Sequence, residues 1–432
     1  MKDWQNKYQD KIVSPKVAIE KGVRSNSRVV IAHACAEPQT LVEALVAGAP
    51  NLKDVEIVHM VAMGKAKYTA PELAESFHHN ALFVGGSTRK AVSEGRASYT
   101  PCFFSEIPSL FREKILPVQT ALIQISYPDE EGYCSYGVSV DYGQVAAESA
   151  QVVIGQMNTF CPRTGGAKIH LDQIDYLVLK DEPLIELQPP AIGEIEKKIG
   201  ENVASLIEDG STLQLGIGAI PDAVLLFLKE KKDLGIHSEM FSDGVVELAE
   251  AGVITNKKKT LHPGKFIATF LMGTRRLYDF VDNNPDVEMH PVDYTNDPFV
   301  VAQNEKLMSI NSAIQVDFMG QVNAEVIGGK QFSGIGGQVD FVRGARRSKG
   351  GKSIIALPST ASGGKVSRIV CELDPGSAVS TSRNDVDYIV TEYGIAYLRG
   401  KTLRQRAEEL IRISHPDFQA ELTEKLTKMN WF

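Results

Sequence analysis

Two glycine-rich turns and one acid carry the chemistry that this sequence most openly offers. The first turn, Gly216-Ile217-Gly218-Ala219-Ile220-Pro221, follows the strand-like run Thr212–Leu215 and precedes a helical pattern, expected over Pro221–Lys231, in which Val224, Leu225 and Leu228 share one face. Glycines at a strand-to-helix junction let backbone N–H groups approach an anion, and the helix dipole adds to the attraction. The same spacing also makes an ordinary tight turn. The third glycine of the dinucleotide fingerprint is replaced by Pro221, which disfavours a Rossmann NAD site and suits the first position of a helix. The acid is Glu239, near the carboxyl end of a strand expected over Ile236–Met240. Ligands of open α/β sheets bind beyond the carboxyl ends of the strands. If these two strands are parallel neighbours, the acid and the glycine turn face one crevice. A carboxylate beside fixed N–H donors can serve as a covalent catalyst; the plainer alternative is that Glu239 is one of 54 acidic residues, solvated or ion-paired. The second turn, Ser333-Gly-Ile-Gly-Gly-Gln-Val-Asp-Phe341, holds three glycines in four positions, for close backbone approach to a ligand or for a β-bulge.

The elements that position these residues alternate between strand and helix. Arg28–His33, Val55–Met60, Ala81–Val84, Thr120–Ile125 and Gln151–Ile154 read as buried strands, with a helix over Thr40–Val46. After Pro189-Pro190, which neither continue a helix nor donate to a sheet, the alternation restarts. It runs as helix Gly193–Ile207, strand Thr212–Leu215, helix Val245–Ala251, and strands Ile354–Leu357 and Tyr388–Val390. The fold class is α/β, with two open, mostly parallel sheet domains expected over 1–188 and 189–432.

Composition sets the outer limits. The 432 residues carry a formal charge of −8, whereas a nucleic-acid binder normally carries a basic surplus. Cys35, Cys102, Cys134, Cys161 and Cys371 are odd in number and form no CxxC pair, so a disulfide framework or zinc knuckle is unsupported and a reducing, cytoplasmic setting is expected. The N-terminal residues lack an apolar leader, and no run approaches the ~18 apolar residues of a membrane span. The basic runs Lys257–Lys259 and Arg346–Lys349 read as solvated loops. Gly351-Lys352-Ser353 lacks the first glycine of a P-loop, no HExxH or GxSxG is present, and the adjacent His78 and His79 point different ways.

Taken together, Tyr127–Gly137, Gln214–Pro221, His237–Gly244, Ser333–Phe341 and Thr391–Gly400 make the chain resemble the acetyl-CoA hydrolase/transferase family of class I CoA-transferases, nearest its 4-hydroxybutyrate and butyrate branch. The resemblance implies that Glu239 is the catalytic glutamate that becomes a glutamyl-CoA thioester. It implies that Gly216, Ile217, Gly218, Ala219, Ile220, Gly336 and Gly337 form the CoA-binding and oxyanion loops. Ile314, Gly364 and Lys365 match further CoA contacts, and His33 matches the carboxylate-substrate side. One departure is Tyr397, where the family pattern has an acid. The family's active site lies between its two domains. The implied activity is CoA transfer between acetyl-CoA and a small carboxylate, with acetyl-CoA hydrolysis or a non-catalytic CoA-binding module as alternatives. No metal or cofactor beyond the CoA substrate is expected, no nucleic-acid or membrane partner, and a homo-oligomer is.

Overall fold

The structure, a computed structural model, describes residues 3–429 and 431. It separates into two compact units: the chain through Leu187 together with Ile267–Thr295, and Gln188–Phe266 together with Asn296 onward. The first crossing falls beside Pro189-Pro190. The segment Ile267–Thr295 then returns to the first unit, which a single boundary at 188/189 does not describe.

The first unit is built on an all-parallel sheet in the order Tyr176–Leu179, Val152–Met157, Thr120–Ile125, Arg28–Ile31, Val55–His59, Phe77–Ala81, Ala97–Tyr99. These strands read as near-continuous apolar runs because helices cover parallel sheets on both faces. Val29, Ile31, Ile57, Leu122 and Ile154 pack with Leu41 and Leu45 of the Gln39–Ala47 helix, each fully buried aliphatic contributing about 1.5–3 kcal/mol. The strand expected at 81–84 lies instead at Phe77–Ala81. Its central residues are polar, and the sheet accepts them because His79 Nδ1 hydrogen-bonds the Ile57 carbonyl (3.0 Å) while Asn80 Nδ2 donates to Glu56 Oε1 (2.9 Å).

In the second unit Thr212–Leu215, Leu307–Ser312, Lys352–Ala356 and Tyr388–Thr391 lie side by side and parallel, with Gly394–Tyr397 returning antiparallel. The loops after Leu215, Ser312, Ala356 and Thr391 therefore leave the same edge of the sheet. Helix Glu194–Ser205 starts where Glu196 Oε2 accepts the Gly193 N–H (3.1 Å). It packs so closely on helix Ala219–Leu226 that a Cβ on Gly200 would lie 2.7 Å from the Ala223 carbonyl carbon.

The structure departs from the sequence pattern at three further places. The strand expected over 236–240 is two pieces: Gly235–Ile236 pairs parallel with Thr212–Leu213, and Met240 then pairs antiparallel with Leu215. Ser238 causes the break, because its Oγ both accepts from the Leu215 N–H and donates to the Leu215 carbonyl (3.2 Å each), replacing ladder bonds with side-chain ones. The helix after the first glycine turn begins at Ala219, so Pro221 is its third residue, still among the first-turn positions whose N–H has no helical acceptor. The basic runs are not simply solvated. Lys259 is 4% exposed, and Arg346 at the end of helix Gln338–Arg347 pairs with Asp387 (3.1 Å). Among the described residues no helix is long and apolar enough to cross a membrane.

Candidate active site

Glu239 sits at the reversal just described, half-buried, with the chain anchored on both sides by hydrogen bonds to the Leu213–Leu215 backbone. Its Oε2 accepts a 2.8 Å hydrogen bond from Asn296 Nδ2. Asn296 is fully buried and its Oδ1 has no partner. Gly337 closes the other side: a Cβ there would fall 1.9 Å from Glu239 Oε2 and 2.2 Å from Asn296 Nδ2. That position admits no side chain while the carboxylate stays in place. Gly337 is the N-cap of helix Gln338–Arg347 and Gly336 before it holds φ +55°. The second glycine turn is thus a strand-free approach to a helix start, not a β-bulge.

The first glycine turn stands on the same sheet edge. Gly218, the N-cap of helix Ala219–Leu226, has φ +115°, a conformation that L side chains rarely adopt. Cβ atoms on Gly216 and Gly218 would meet no heavy atom within 4 Å, so this side of the turn is open, and Ile217 is 43% exposed. Behind the turn, Gln214 Oε1 accepts from Ser309 Oγ (2.8 Å) and Asn311 Nδ2 (3.1 Å) on the neighbouring strand. This buried polar layer ties the strand entering the Gly216 turn to the one entering the Ile314 turn. In the first helical turn, burial pushes the Asp222 carboxyl up from its ordinary value, with Asp243 and Glu247 adding to the rise against a hydrogen bond from Ser242. A half-buried carboxylate with one fixed amide donor, a glycine at van der Waals limit and an open turn can attack an acyl carbon and become an acyl acceptor itself.

Comparison with known proteins shows the family of the chain. Residues 1–188 match the acetyl-CoA hydrolase/transferase N-terminal domain and residues 273–426 its C-terminal domain. The chain belongs to the acetyl-CoA hydrolase/transferase family. It is 63% identical over 427 residues to the 4-hydroxybutyrate coenzyme A transferase of Clostridium kluyveri, covering 99% of both chains. It is 37% identical to the butyryl-CoA:acetate CoA-transferase of Anaerostipes caccae, covering 98% of each. The crystal structure of a 4-hydroxybutyrate CoA-transferase from Porphyromonas gingivalis superposes with a TM-score of 0.87 at 44% identity, covering 99% of this chain and 100% of that one. A relative described as an acetyl-CoA hydrolase, from Schizosaccharomyces pombe, is further off, 24% identical over 79% of this chain.

The remaining residues that the family resemblance singled out fall in two places. Ile314 is half-buried between strands Leu307–Ser312 and Gln315–Asp317, its N–H donating to the Asn323 carbonyl (2.8 Å). Gly364 and Lys365 occupy an exposed turn between strands Thr360–Ala361 and Val366–Ser367, where Ser362, Gly363 and Gly364 all hold positive φ. Both segments follow strands, Leu307–Ser312 and Lys352–Ala356, that run parallel to the one entering the Gly216 turn. His33 belongs to the first unit and is 1% exposed: Nδ1 lies 3.2 Å from Asp141 Oδ2, and the ring is boxed by Phe270, Phe104 and Tyr142 with centroids 4.6–5.8 Å away. Asn296 is the residue that sequence reasoning missed. It is 57 positions from Glu239, and Thr295-Asn296-Asp297-Pro298 reads only as a turn before a helix. Among the described residues no group of three or more His, Cys, Asp or Glu side chains is placed to hold a metal ion.

Proposed function

We propose that this enzyme moves CoA between acetyl-CoA and a short carboxylate, butyrate or 4-hydroxybutyrate, with Glu239 as the covalent carrier and the Gly216–Ile220, Ile314, Gly336–Gly337 and Gly364–Lys365 segments as the CoA-binding side. The observation that carries the reading is the Glu239 carboxylate held by Asn296 against Gly337 on the sheet edge from which the open Gly216 turn also leaves. Similarity to relatives described as 4-hydroxybutyrate and butyryl-CoA transferases supports the choice of substrates.

The steps balance without a cofactor. A Glu239 oxygen attacks the acetyl-CoA carbonyl, the C–S bond breaks, and CoA thiolate leaves a mixed anhydride. The thiolate then attacks the glutamyl carbonyl, the anhydride C–O bond breaks, and acetate departs from a glutamyl-CoA thioester. The acceptor carboxylate attacks that thioester, expelling thiolate, which takes the new acyl group and frees Glu239. A serine or cysteine nucleophile would keep the acyl group and lose the thioester, which is why the chemistry needs a carboxylate. Each tetrahedral intermediate gathers negative charge on an oxygen. The Asn296 amide, already aimed at Glu239, supplies a donor to the glutamyl one, an interaction whose loss costs about 3 kcal/mol in comparable sites. Binding energy from the long CoA tail is spent on orientation at the reacting carbonyl. Five cysteines without disulfides suit a reducing, cytoplasmic setting.

Isotope exchange tests the proposal. Enzyme mixed with acetyl-CoA and labelled acetate, and nothing else, should return labelled acetyl-CoA, because the first half-reaction reverses on its own. Thiol release without label incorporation contradicts transfer and marks a hydrolase.

A further inference from the structure

We propose that Lys259, the last residue of the basic run that the sequence assigns to a solvated loop, is a positioning residue for Glu239. The short strand Gly235–Ile236 is an edge. Gly235 and His237 donate their N–H groups to the Ser211 and Leu213 carbonyls of the neighbouring strand, so both polar groups of Ile236 face away from that partner. A loop takes the place of a second strand. The Ile236 N–H donates to Asn256 Oδ1 (2.8 Å), and the Ile236 carbonyl accepts from Lys259 Nζ (2.7 Å). The same ammonium donates to the Lys265 carbonyl (2.6 Å), joining the two ends of the loop. The loop is itself closed: Lys259 N and Gly264 N both donate to the Asn256 carbonyl (3.2 and 2.9 Å), and Asn256 holds φ +58°, tolerable for asparagine. The lysine stem fits only because residue 235 has no side chain, since a Cβ there would lie 2.4 Å from Lys259 Cγ.

What this clamp fixes is the run into Glu239. Ile236 is three residues before the acid, and between them the chain leaves its parallel pairing and turns at Ser238. A strand end free to slide would shift the carboxylate out of its 2.8 Å contact with Asn296, and displacements of about 1 Å at a reacting group cost on the order of 100-fold in rate. Lys259 therefore acts through Glu239 and touches no substrate.

The inference rests on Glu239 as the CoA carrier, and the test separates the two. Single-turnover formation of the CoA adduct from acetyl-CoA alone is timed for the wild type, Lys259→Met and Gly235→Ala, with the CoA dissociation constant and thermal midpoint measured on the same samples. Absence of an adduct in the wild type defeats the carrier role itself. With that adduct present, Lys259→Met should form it about 10- to 100-fold more slowly with CoA affinity within threefold, and Lys259→Arg should recover part of the rate. A merely structural lysine lowers the thermal midpoint and leaves the rate per folded molecule unchanged; that result overturns the proposal. Should Lys259→Met fail to fold, Gly235→Ala, which displaces the stem and keeps the ammonium, decides by the same two numbers.

Discussion

The two units set their polar groups in different surroundings. In the first, His33, His59 and His79 each have one ring nitrogen engaged, by Asp141, Tyr68 and the Ile57 carbonyl, inside apolar or aromatic walls. Asp141 is further satisfied by the Ser139 hydroxyl and by the N–H groups of Tyr142 (2.6 Å) and Gly143 (3.3 Å). In the second, Glu239, Asn296 and the Gln214 layer stand at one sheet edge, where Gly216 and Gly218 open onto space that the chain itself does not fill. Polar groups enclosed by apolar walls specify a core, whereas polar groups held rigid beside open space are arranged for something that is not part of the chain.

Substitutions at the open edge should therefore cost rate, and those in the closed interior stability. The largest effect is expected at Glu239→Ala: transfer falls by at least about 10⁴-fold, as for other covalent nucleophiles, while CoA still binds and the unfolding midpoint is unchanged within a few degrees. Gly337→Ala comes next. Its methyl group would stand 1.9 Å from the carboxylate oxygen, so adduct formation should drop about 10²- to 10³-fold in a protein that elutes and melts as the wild type does. Asn296→Ala should slow both half-reactions by about 10²-fold, seen in kcat with little change in KM for acetyl-CoA.

In the first unit Asp141→Ala should act the other way, destabilising by about 2–4 kcal/mol in denaturant titration with little loss of rate per folded molecule. A collapse in rate at unchanged stability would move His33 into the reaction and dissolve the contrast. The smallest effect concerns acid. Burial lowers the His79 pKa to about 4 from 6.5, and burial, with His79 and His33 adding, lowers that of His59. The unfolded chain takes up these protons first, so stability should decline as pH falls from about 6.5 toward about 4. His79→Leu should flatten that slope.

How much of this was legible in the sequence depends on whether the deciding contact was local. Strands Thr212–Leu215 and Thr120–Ile125 have the bounds that their apolar runs suggest, and helix Glu194–Ser205 falls within two residues of its expected ends. The family resemblance rests on short motifs, and those motifs supply Glu239 and Gly337 but not Asn296. The misses share a cause. Phe77–Ala81 contains two histidines and an asparagine, made strand-compatible only by neighbours distant in sequence. The run Ile236–Met240 alternates like a continuous strand, yet Ser238 bonds Leu215 and ends it. Lys259 looks like one of three surface lysines until its ammonium is seen on the Ile236 carbonyl. Asn296 had no periodic or spacing signal at all, because its role is set by a tertiary contact.

In the proposed reaction CoA becomes attached to the enzyme itself between one acyl group and the next. Mass analysis of proteolysed enzyme after incubation with acetyl-CoA alone tests it directly. The expected result is the mass of CoA, less one water, on the peptide containing Glu239, and its disappearance on addition of acetate or butyrate. A stable acetyl group on a residue other than Glu239, or CoA carried by any other residue, would contradict it.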